Sequence, residues 1–439
     1  MIHIDISNFR AINHASLDVD GITVLAGENG SGKSTISKIV YHTFYTACHF
    51  DEIERNNYFE ERVPLFWQFR DALSDFVSGL KVVFPEIKNI DFSARNMGNL
   101  SEYLPAAEAE FGKYFVDPLL YQDKRLINSR TRFVKSICSL VRANVNEGTN
   151  NPFELIRNKL QEIEKKYEEI KQNRPVKRFH NRMKLVFEQE IEENTICLKE
   201  IDENLINPEL QRLNSTIDTR EVYYCDTPWM VDRKQDPRLP IFFEEEEDIR
   251  LFHRNALRGV LRTCTKSTND PHPIEIDEII GGQTFAKEEE GGYKFEFKRG
   301  DGKILDLFHC ATGLKAFSIL QMLYLGGKLC KGTLLILDEP EANLHPQWVV
   351  EYARLIVLLW KQHGVRFLIS SHSPDMVAAI QAIAQKEGVR ESTKFYLAER
   401  SKSNSFKFDY KDLGFEISEI FASFNKSMVG IVKYGADID

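Results

Sequence analysis

Two short stretches, about 300 residues apart, restrict what this 439-residue chain can fold into more than anything else in it. Residues 27–35 read Gly-Glu-Asn-Gly-Ser-Gly-Lys-Ser-Thr, and residues 333–339 read Thr-Leu-Leu-Ile-Leu-Asp-Glu. The first is a glycine-rich loop of the kind that wraps phosphates. The second is an apolar strand that delivers two adjacent carboxylates. A fold that completes a nucleotide site within one short domain keeps such halves close in sequence. The gap predicts a nucleotide-binding head, α/β in class, interrupted by a large insertion.

The local context of the loop is the one it requires. Ile2, Ile4 and Ile6 alternate as a strand, Leu17 and Val19 belong to a second, and Ile22 to Ala26 form a third that runs into the loop. A helix is expected from Lys33 to about Ala47. Gly27, Gly30 and Gly32 let backbone N–H groups turn inward around a phosphate without interference from Cβ atoms. Lys33 is placed to neutralise β- and γ-phosphate oxygens, and Ser34 to ligate Mg2+. Asn29, Gly30, Gly32, Lys33, Ser34 and Thr35 are the candidate ATP-binding residues of this half.

The second half follows from the strand Leu334–Leu337. Asp338 is placed to hold Mg2+, and Glu339 to polarise an attacking water. Pro340-Glu341-Ala342-Asn343-Leu344-His345-Pro346 comes next, and Phe367 to Ser371 form another apolar strand that leads into His372-Ser373-Pro374. Glu339 and His372 are the candidate catalytic residues, and Ser34 and Asp338 the candidate metal ligands.

Between the halves, residues 51–145 are aromatic-rich and carry no chemical motif. From Pro152 a heptad seam runs through Phe153, Ile156, Leu160, Ile163, Tyr167 and Ile170. Asn173-Arg174-Pro175 interrupts it. A second seam passes through Phe187, Ile191, Asn194, Leu198, Ile201 and Leu205 before Asn207-Pro208. The expected structure is a short antiparallel coiled-coil hairpin near 152–206, each arm roughly 30 Å long. Its tip holds Lys171, Arg174, Lys177, Arg178, Arg182 and Lys184, either a solvated turn or a local phosphate- or partner-binding patch. The expected domains are residues 1–50 with 215–439 as the head, and 51–214 as a mainly helical insertion. Within the head, Glu221 to Cys225 is expected as a strand, and β-hairpins are expected around Gly291-Gly292 and Asp301-Gly302. The acidic runs Glu244–Asp248 and Glu288–Glu290 are expected on solvated surface.

Composition sets bounds on partners. The net charge of −9 leaves no global basic footprint for nucleic acid, so any DNA contact needs a local patch. Seven scattered cysteines form no Cys-x-x-Cys pair, which points away from a zinc ribbon or disulfide framework and toward a reducing compartment. No apolar run approaches a membrane span. The expectation is a soluble cytoplasmic protein with no membrane partner.

These motifs together resemble the ABC-type ATPase heads of the SMC, RecF and OLD groups over roughly residues 1–45 and 300–400. Asn8-Phe9-Arg10, the 338–346 block and Ser371-His372-Ser373-Pro374 look most like OLD-type heads, and like the PtuA-type and AriA-type antiphage ATPases. The resemblance implies a P-loop head with a mixed sheet. It also implies a signature loop just before the Asp-Glu strand. Cys310-Ala311-Thr312-Gly313-Leu314-Lys315 matches it at Gly313 and Lys315, with Ala311 where the family has serine and Thr312 able to supply the hydroxyl. The usual glutamine before the signature could be Gln68 or Gln122.

By this resemblance, ATP is sandwiched between two heads in a homodimer or higher oligomer. Lys33, Ser34 and Asp338 of one head hold ATP and Mg2+, while Thr312 and Gly313 of the other meet the γ-phosphate. Glu339 activates water, and His372 is the switch histidine at the γ-phosphate. OLD proteins carry a C-terminal nuclease with an Asp-x-Asp. After His372 this sequence has that pattern only at Asp437-Ile438-Asp439. The expected function is therefore a slow, partner-regulated ATPase switch in antiphage defence or DNA repair, working with a separate effector such as a nuclease. The alternative is a RecF-like ATPase that binds DNA. A transporter subunit fits poorly, because such subunits lack an insertion of this kind.

Overall fold

The computed structural model describes residues 1–85, 87, 100–116, 123–144, 151–192, 195–207, 211–232, 252–264, 274, 276–289, 292–342 and 344–424. They fall into two compact units, Met1–Cys48 with Pro175–Asp439, and His49–Arg174. Gln122, Asn194, Pro208, Glu244–Asp248, Glu290, Gly291, Asn343 and residues 437–439 lie outside the described residues.

The first unit opens with β1 (Ile2–Phe9) and β2 (Ile12–Val19), an antiparallel pair. Ile2, Ile4 and Ile6 are buried on one face, as their alternation predicts. β3 (Ile22–Ala26) is buried along its whole length and leads through the glycine-rich loop into α1 (Lys33–Cys48).

The second unit is all helix among its described residues: α2 (Phe50–Lys81), α3 (Leu100–Phe111), α4 (Lys113–Val116), α5 (Lys124–Val141) and α6 (Pro152–Asn173). Its core is aromatic. Phe76 and Phe133 stack with centroids 5.1 Å apart, and Phe69 and Phe153 pack around them. α6 starts where Asn151 accepts hydrogen bonds from the Phe153 and Glu154 N–H groups, with Pro152 in the first turn. It ends at Arg174 in the left-handed conformation. The seam residues Phe153, Ile156, Leu160 and Ile163 are buried against α2 and α5, and Tyr167 stacks on Tyr58 at 4.7 Å. Gln68 lies on α2.

The chain then returns to the first unit with α7 (Val176–Phe187), β4 (Ile196–Glu200), β5 (Glu203–Asn204), β6 (Ile206–Asn207), β7 (Arg212–Leu213) and β8 (Glu221–Cys225). Among the described residues the expected second arm of the hairpin is absent. α7 begins directly after the tip and stops at Phe187, with Glu188 left-handed, and Leu198 belongs to a strand rather than to a helix. Ile196, Leu198 and Glu200 alternate inward, and β4 pairs with β1, Leu198 opposite Ile4. Ile201 and Asp202, both at positive φ, make the turn into β5. Over so few apolar positions a heptad and an alternating pattern coincide, and β1 supplied an open edge that decided between them. Residues 175–214, expected in the insertion, therefore belong with the sheet. The basic tip is also partly spent on packing. Arg174 lies 4.5 Å over the Phe50 ring, and Arg182 lies 4.2 Å over Phe252 and donates to His42 at 3.3 Å.

The rest of the unit comprises α8 (Phe252–Thr263), α9 (Ile276–Ile280), β9 (Gly282–Glu289), β10 (Gly292–Arg299), β11 (Ile304–Asp306), α10 (Thr312–Leu325), β12 (Thr333–Asp338), α11 (Pro346–His363), β13 (Arg366–Ser371), α12 (Pro374–Glu387), β14 (Thr393–Arg400), β15 (Phe408–Asp412) and α13 (Ser418–Phe424). Ten strands form one mixed sheet in the order β5-β4-β1-β2-β15-β14-β3-β13-β12-β8. From β14 to β8 all pairings are parallel. β3, β13 and β12 are buried along nearly their whole length because both faces are covered. β9, β10 and β11 form a separate antiparallel sheet, the two hairpins expected from the glycine turns.

Glu200 ties β4 into this core. Fully buried, it accepts from the N–H groups of Ile217 (2.5 Å), Asp218 (3.2 Å) and Thr219 (2.8 Å), and from the Thr219 hydroxyl. Arg366 Nη1 of β13 lies 3.7 Å away. Burial alone would raise this carboxyl, but the Thr219 hydroxyl and the three N–H groups outweigh it and hold it below its ordinary value. Glu200→Ala leaves the Ile217, Asp218 and Thr219 N–H groups without this acceptor and buried Arg366 with Asp218, 3.4 Å from Nη2, as its remaining carboxylate partner, and is expected to cost about 3–5 kcal/mol of unfolding free energy. Urea melts will check this, and a loss under about 1 kcal/mol would remove the pair from the account. Because the folded-state value is depressed, the wild-type advantage is present above the unfolded value of about 4.3 and fades as pH falls through the lower folded one.

Candidate nucleotide-binding and hydrolysis site

β3, β13 and β12 are neighbours in the sheet and end level with one another, with Leu25 paired to Ser370 and Ser370 paired to Asp338. The segments that leave their C-terminal ends are the glycine-rich loop, His372 and the Asp338-Glu339 pair. Ligands of parallel α/β sheets bind at this edge.

Gly30 has φ +79 and would point a Cβ into open space, so its requirement is conformational. Gly32 has φ +98, and a Cβ there would come within 2.8 Å of Ile12. Lys33 is buried, and its ammonium donates to the carbonyls of Gly27 (2.8 Å) and Glu28 (3.0 Å). Burial lowers its pKa, while Glu339, Asp338 and Glu341 pull the other way. The loop thus presents a desolvated cation in an anion-shaped turn. Asn29 is exposed on the loop, and Ser34 and Thr35 lie in the first turn of α1.

Asp338 accepts a hydrogen bond from the Tyr224 hydroxyl at 3.0 Å through Oδ2. Its other oxygen, Oδ1, is buried and has no hydrogen-bond partner among the described residues. Burial raises its pKa, the Ser34 and Tyr224 hydroxyls oppose the rise, and the Glu339 charge adds to it. A buried carboxylate oxygen with unused lone pairs beside a serine hydroxyl fits a magnesium ion. Such an ion takes one or two protein groups and fills its remaining positions with phosphate oxygens and water. Among the described residues no cluster of three or more His, Cys, Asp or Glu forms an all-protein cage.

Glu339 sits at φ +50, a strained conformation for a non-glycine residue, held by its N–H bond to Ser370 O at 2.8 Å. The strain turns its carboxylate toward His372, with Nδ1 3.3 Å from Oε1. Glu341 is buried behind them. It accepts from the Ser371 hydroxyl (2.7 Å) and the His372 N–H (3.1 Å), pinning the turn that carries the histidine. The sequence reading gave Glu341, Tyr224 and Ser371 no role. Glu341 stood inside the motif block, but nothing distinguished it until β13 was set beside β12. The remaining motif residues start helices. His345 caps α11 with Pro346 in its first turn, and Ser373 caps α12 with Pro374 in its first turn.

Lys33, Ser34, Asp338, Glu339 and His372 therefore come together. Thr312 and Gly313 open α10, where a Cβ on Gly313 would lie 3.1 Å from Trp348 and 3.2 Å from Leu344. Among the described residues no hydrogen bond or ion pair links these two to the Lys33–His372 set. Lys315 is buried, donates to Phe308 O at 2.8 Å and stands 4.8 Å over the Trp229 ring.

A family model described as "AAA ATPase domain" matches residues 1–377. The chain belongs to this ATPase family. Among solved structures, the ATPase is similar to an Smc head bound to the C-winged helix domain of ScpA (12% identity, 95% of this chain and 98% of that one, TM-score 0.34). It is also similar to an Smc head with an extended coiled coil bound to the C-terminal domain of ScpA from Pyrococcus furiosus (11% identity, 96% and 99%, TM-score 0.35). A third is the SMC head domain from Thermotoga maritima (14% identity, 31% and 44%, TM-score 0.23). No curated protein matches the chain. No described helix is long and apolar enough to cross a membrane.

Proposed function

We propose that this ATPase binds ATP with Mg2+ and hydrolyses it between two copies of the head, as a switch that acts on a separate protein effector such as a nuclease. Lys33 and the loop N–H groups bind the phosphates, and Ser34 and Asp338 hold the magnesium ion. The ion, when bound, neutralises β- and γ-phosphate oxygens. Glu339 accepts a proton from the attacking water, and His372 contacts the γ-phosphate with its position set by Glu341 and Ser371. The observation that carries this reading is the convergence of a buried lysine, an orphaned carboxylate oxygen and a strained glutamate paired to a histidine at one sheet edge.

The dimer accounts for Thr312 and Gly313, which among the described residues make no hydrogen bond or ion pair with that edge. A second copy offering them to the γ-phosphate would complete the pocket, so ATP binding energy is realised only in the closed pair. Light scattering is expected to show the mass double on addition of ATP and Mg2+. A mass unchanged by nucleotide at any protein concentration overturns the two-headed site.

The role in antiphage defence or DNA repair rests on the OLD-like blocks at 8–10, 338–346 and 371–374 and on their resemblance to the ATPase subunits of antiphage systems. Arg174 and Arg182, engaged with aromatic rings, give the RecF-like DNA-binding reading less support than their sequence cluster suggested. Isolation of the complex from its native host is expected to recover a protein effector. Salt-sensitive DNA binding by the ATPase alone, lost on charge reversal at Lys177 and Lys184, would favour the other reading.

A further inference from the structure

Strand β8 lies at the edge of the parallel sheet, beside β12, and contributes none of the residues assigned above. Its residue Tyr224 nevertheless donates its hydroxyl to Asp338 Oδ2 at 3.0 Å. We propose that Tyr224 is a positioning residue for the magnesium site, fixing the Asp338 carboxylate so that its free oxygen faces the ion. This deepens the ATPase reading above and rests on it.

Three observations support the role. The bond occupies Oδ2 and leaves Oδ1 as the buried oxygen with unused lone pairs, so it selects which oxygen is presented. The Tyr224 ring cannot swing, because it stacks on His253 at 4.4 Å and 29° and packs against Tyr41 at 5.8 Å. His253 is itself held, with Nε2 3.0 Å from Asp226, and Asp226 takes two hydrogen bonds from Arg254 Nε and one from Nη2 at 2.7 Å. The hydroxyl is therefore held by α1, α8 and the end of β8 together. Mutating groups that orient a metal ligand through hydrogen bonds typically costs about 10- to 100-fold in metal affinity or activity.

The same strand end reaches the signature helix. Trp229, five residues after Tyr224, lies under the Lys315 ammonium of α10. The Tyr224–Asp338 hydrogen bond, five residues of backbone and the Trp229–Lys315 contact thus link Asp338 to the helix that opens with Thr312 and Gly313. Trp229 is exposed, and the difference between its signal and that of a Trp229→Phe chain, which keeps Trp67, Trp348 and Trp360, serves as the optical probe of that link.

The test uses Tyr224→Phe in the full chain, which keeps the ring and its stacking and removes only the hydroxyl. ATP binding is titrated by calorimetry in EDTA and across a range of Mg2+, with Trp fluorescence followed in parallel. The expected result is an unchanged Kd for ATP in EDTA, a half-saturating Mg2+ raised about 10- to 100-fold, and a Mg2+-dependent fluorescence change shifted to the same higher range. Half-saturating Mg2+ equal to or below that of the wild type overturns the assignment. If the wild-type chain binds no ATP with or without Mg2+, the ATPase reading falls, an outcome distinct from failure of Tyr224. A Tyr224→Phe variant that loses ATP binding in EDTA too shows a general packing role and also overturns the proposal.

Discussion

Glu339→Gln is expected to slow ATP hydrolysis by about 10²- to 10⁴-fold while leaving ATP affinity near wild type. The substitution keeps the size and hydrogen-bonding reach of the side chain, and removes its ability to take a proton from water. It keeps the backbone as well, since Gln at φ +50 meets the same strain as Glu, and the Ser370 carbonyl still holds the 339 N–H at 2.8 Å. Glu341 is the other carboxylate beside His372. It is buried, its Oε1 is engaged by the Ser371 hydroxyl and the His372 N–H, and its Oε2, which has no hydrogen-bond partner among the described residues, is the oxygen whose contribution Glu341→Gln in the same background would expose. With hydrolysis slowed and binding intact, the ATP-bound assembly should accumulate, and gel filtration with ATP should show it outlasting the wild-type one. Single-turnover phosphate release is the direct measurement. A variant that releases phosphate at the wild-type rate means another group activates the water.

How much of this could be read from sequence follows from how local each signal is. The apolar run Leu334–Leu337 and the alternation of Ile2, Ile4 and Ile6 are set by burial on two faces or one, so periodicity alone exposed them. The placement of Lys33, Ser34 and Asp338 at one sheet edge was legible because the motifs that carry them leave neighbouring strands in that order. The second hairpin arm was misread for the converse reason. Leu198 faces Ile4, a pairing across nearly the whole N-terminal half of the chain, and no local window contains it. The α6 seam was correctly seen as helical but wrongly partnered, because Phe153 and Ile156 fit an aromatic core as well as they fit a coiled coil. Glu341 and Tyr224 were invisible for a third reason. Each acts through a residue on a neighbouring strand, and a single hydrogen-bond partner leaves no spacing pattern behind.

Lys33→Ala is expected to abolish ATP binding in practical terms. The ammonium is the cation facing the phosphate pocket from the start of α1, and it is desolvated, so its interaction with phosphate oxygens is weakly screened. Hydrogen bonds to charged groups are worth about 1.5–3 kcal/mol each. Losing two gives a rise in Kd of at least about 100-fold. The electrostatics worsen the loss, because Asp338, Glu339 and Glu341, which Lys33 now offsets, would face the incoming triphosphate uncompensated. Their repulsion separates this variant from a simple cavity mutant: raising Mg2+ should recover part of the affinity, whereas a folding defect would not respond. The substitution also leaves the Gly27 and Glu28 carbonyls without a donor, so a modest drop in thermal midpoint accompanies it. Calorimetric titration of ATP checks the prediction, with circular dichroism confirming that the head remains folded. A Kd within about threefold of wild type would mean that the glycine-rich loop is not where the triphosphate binds.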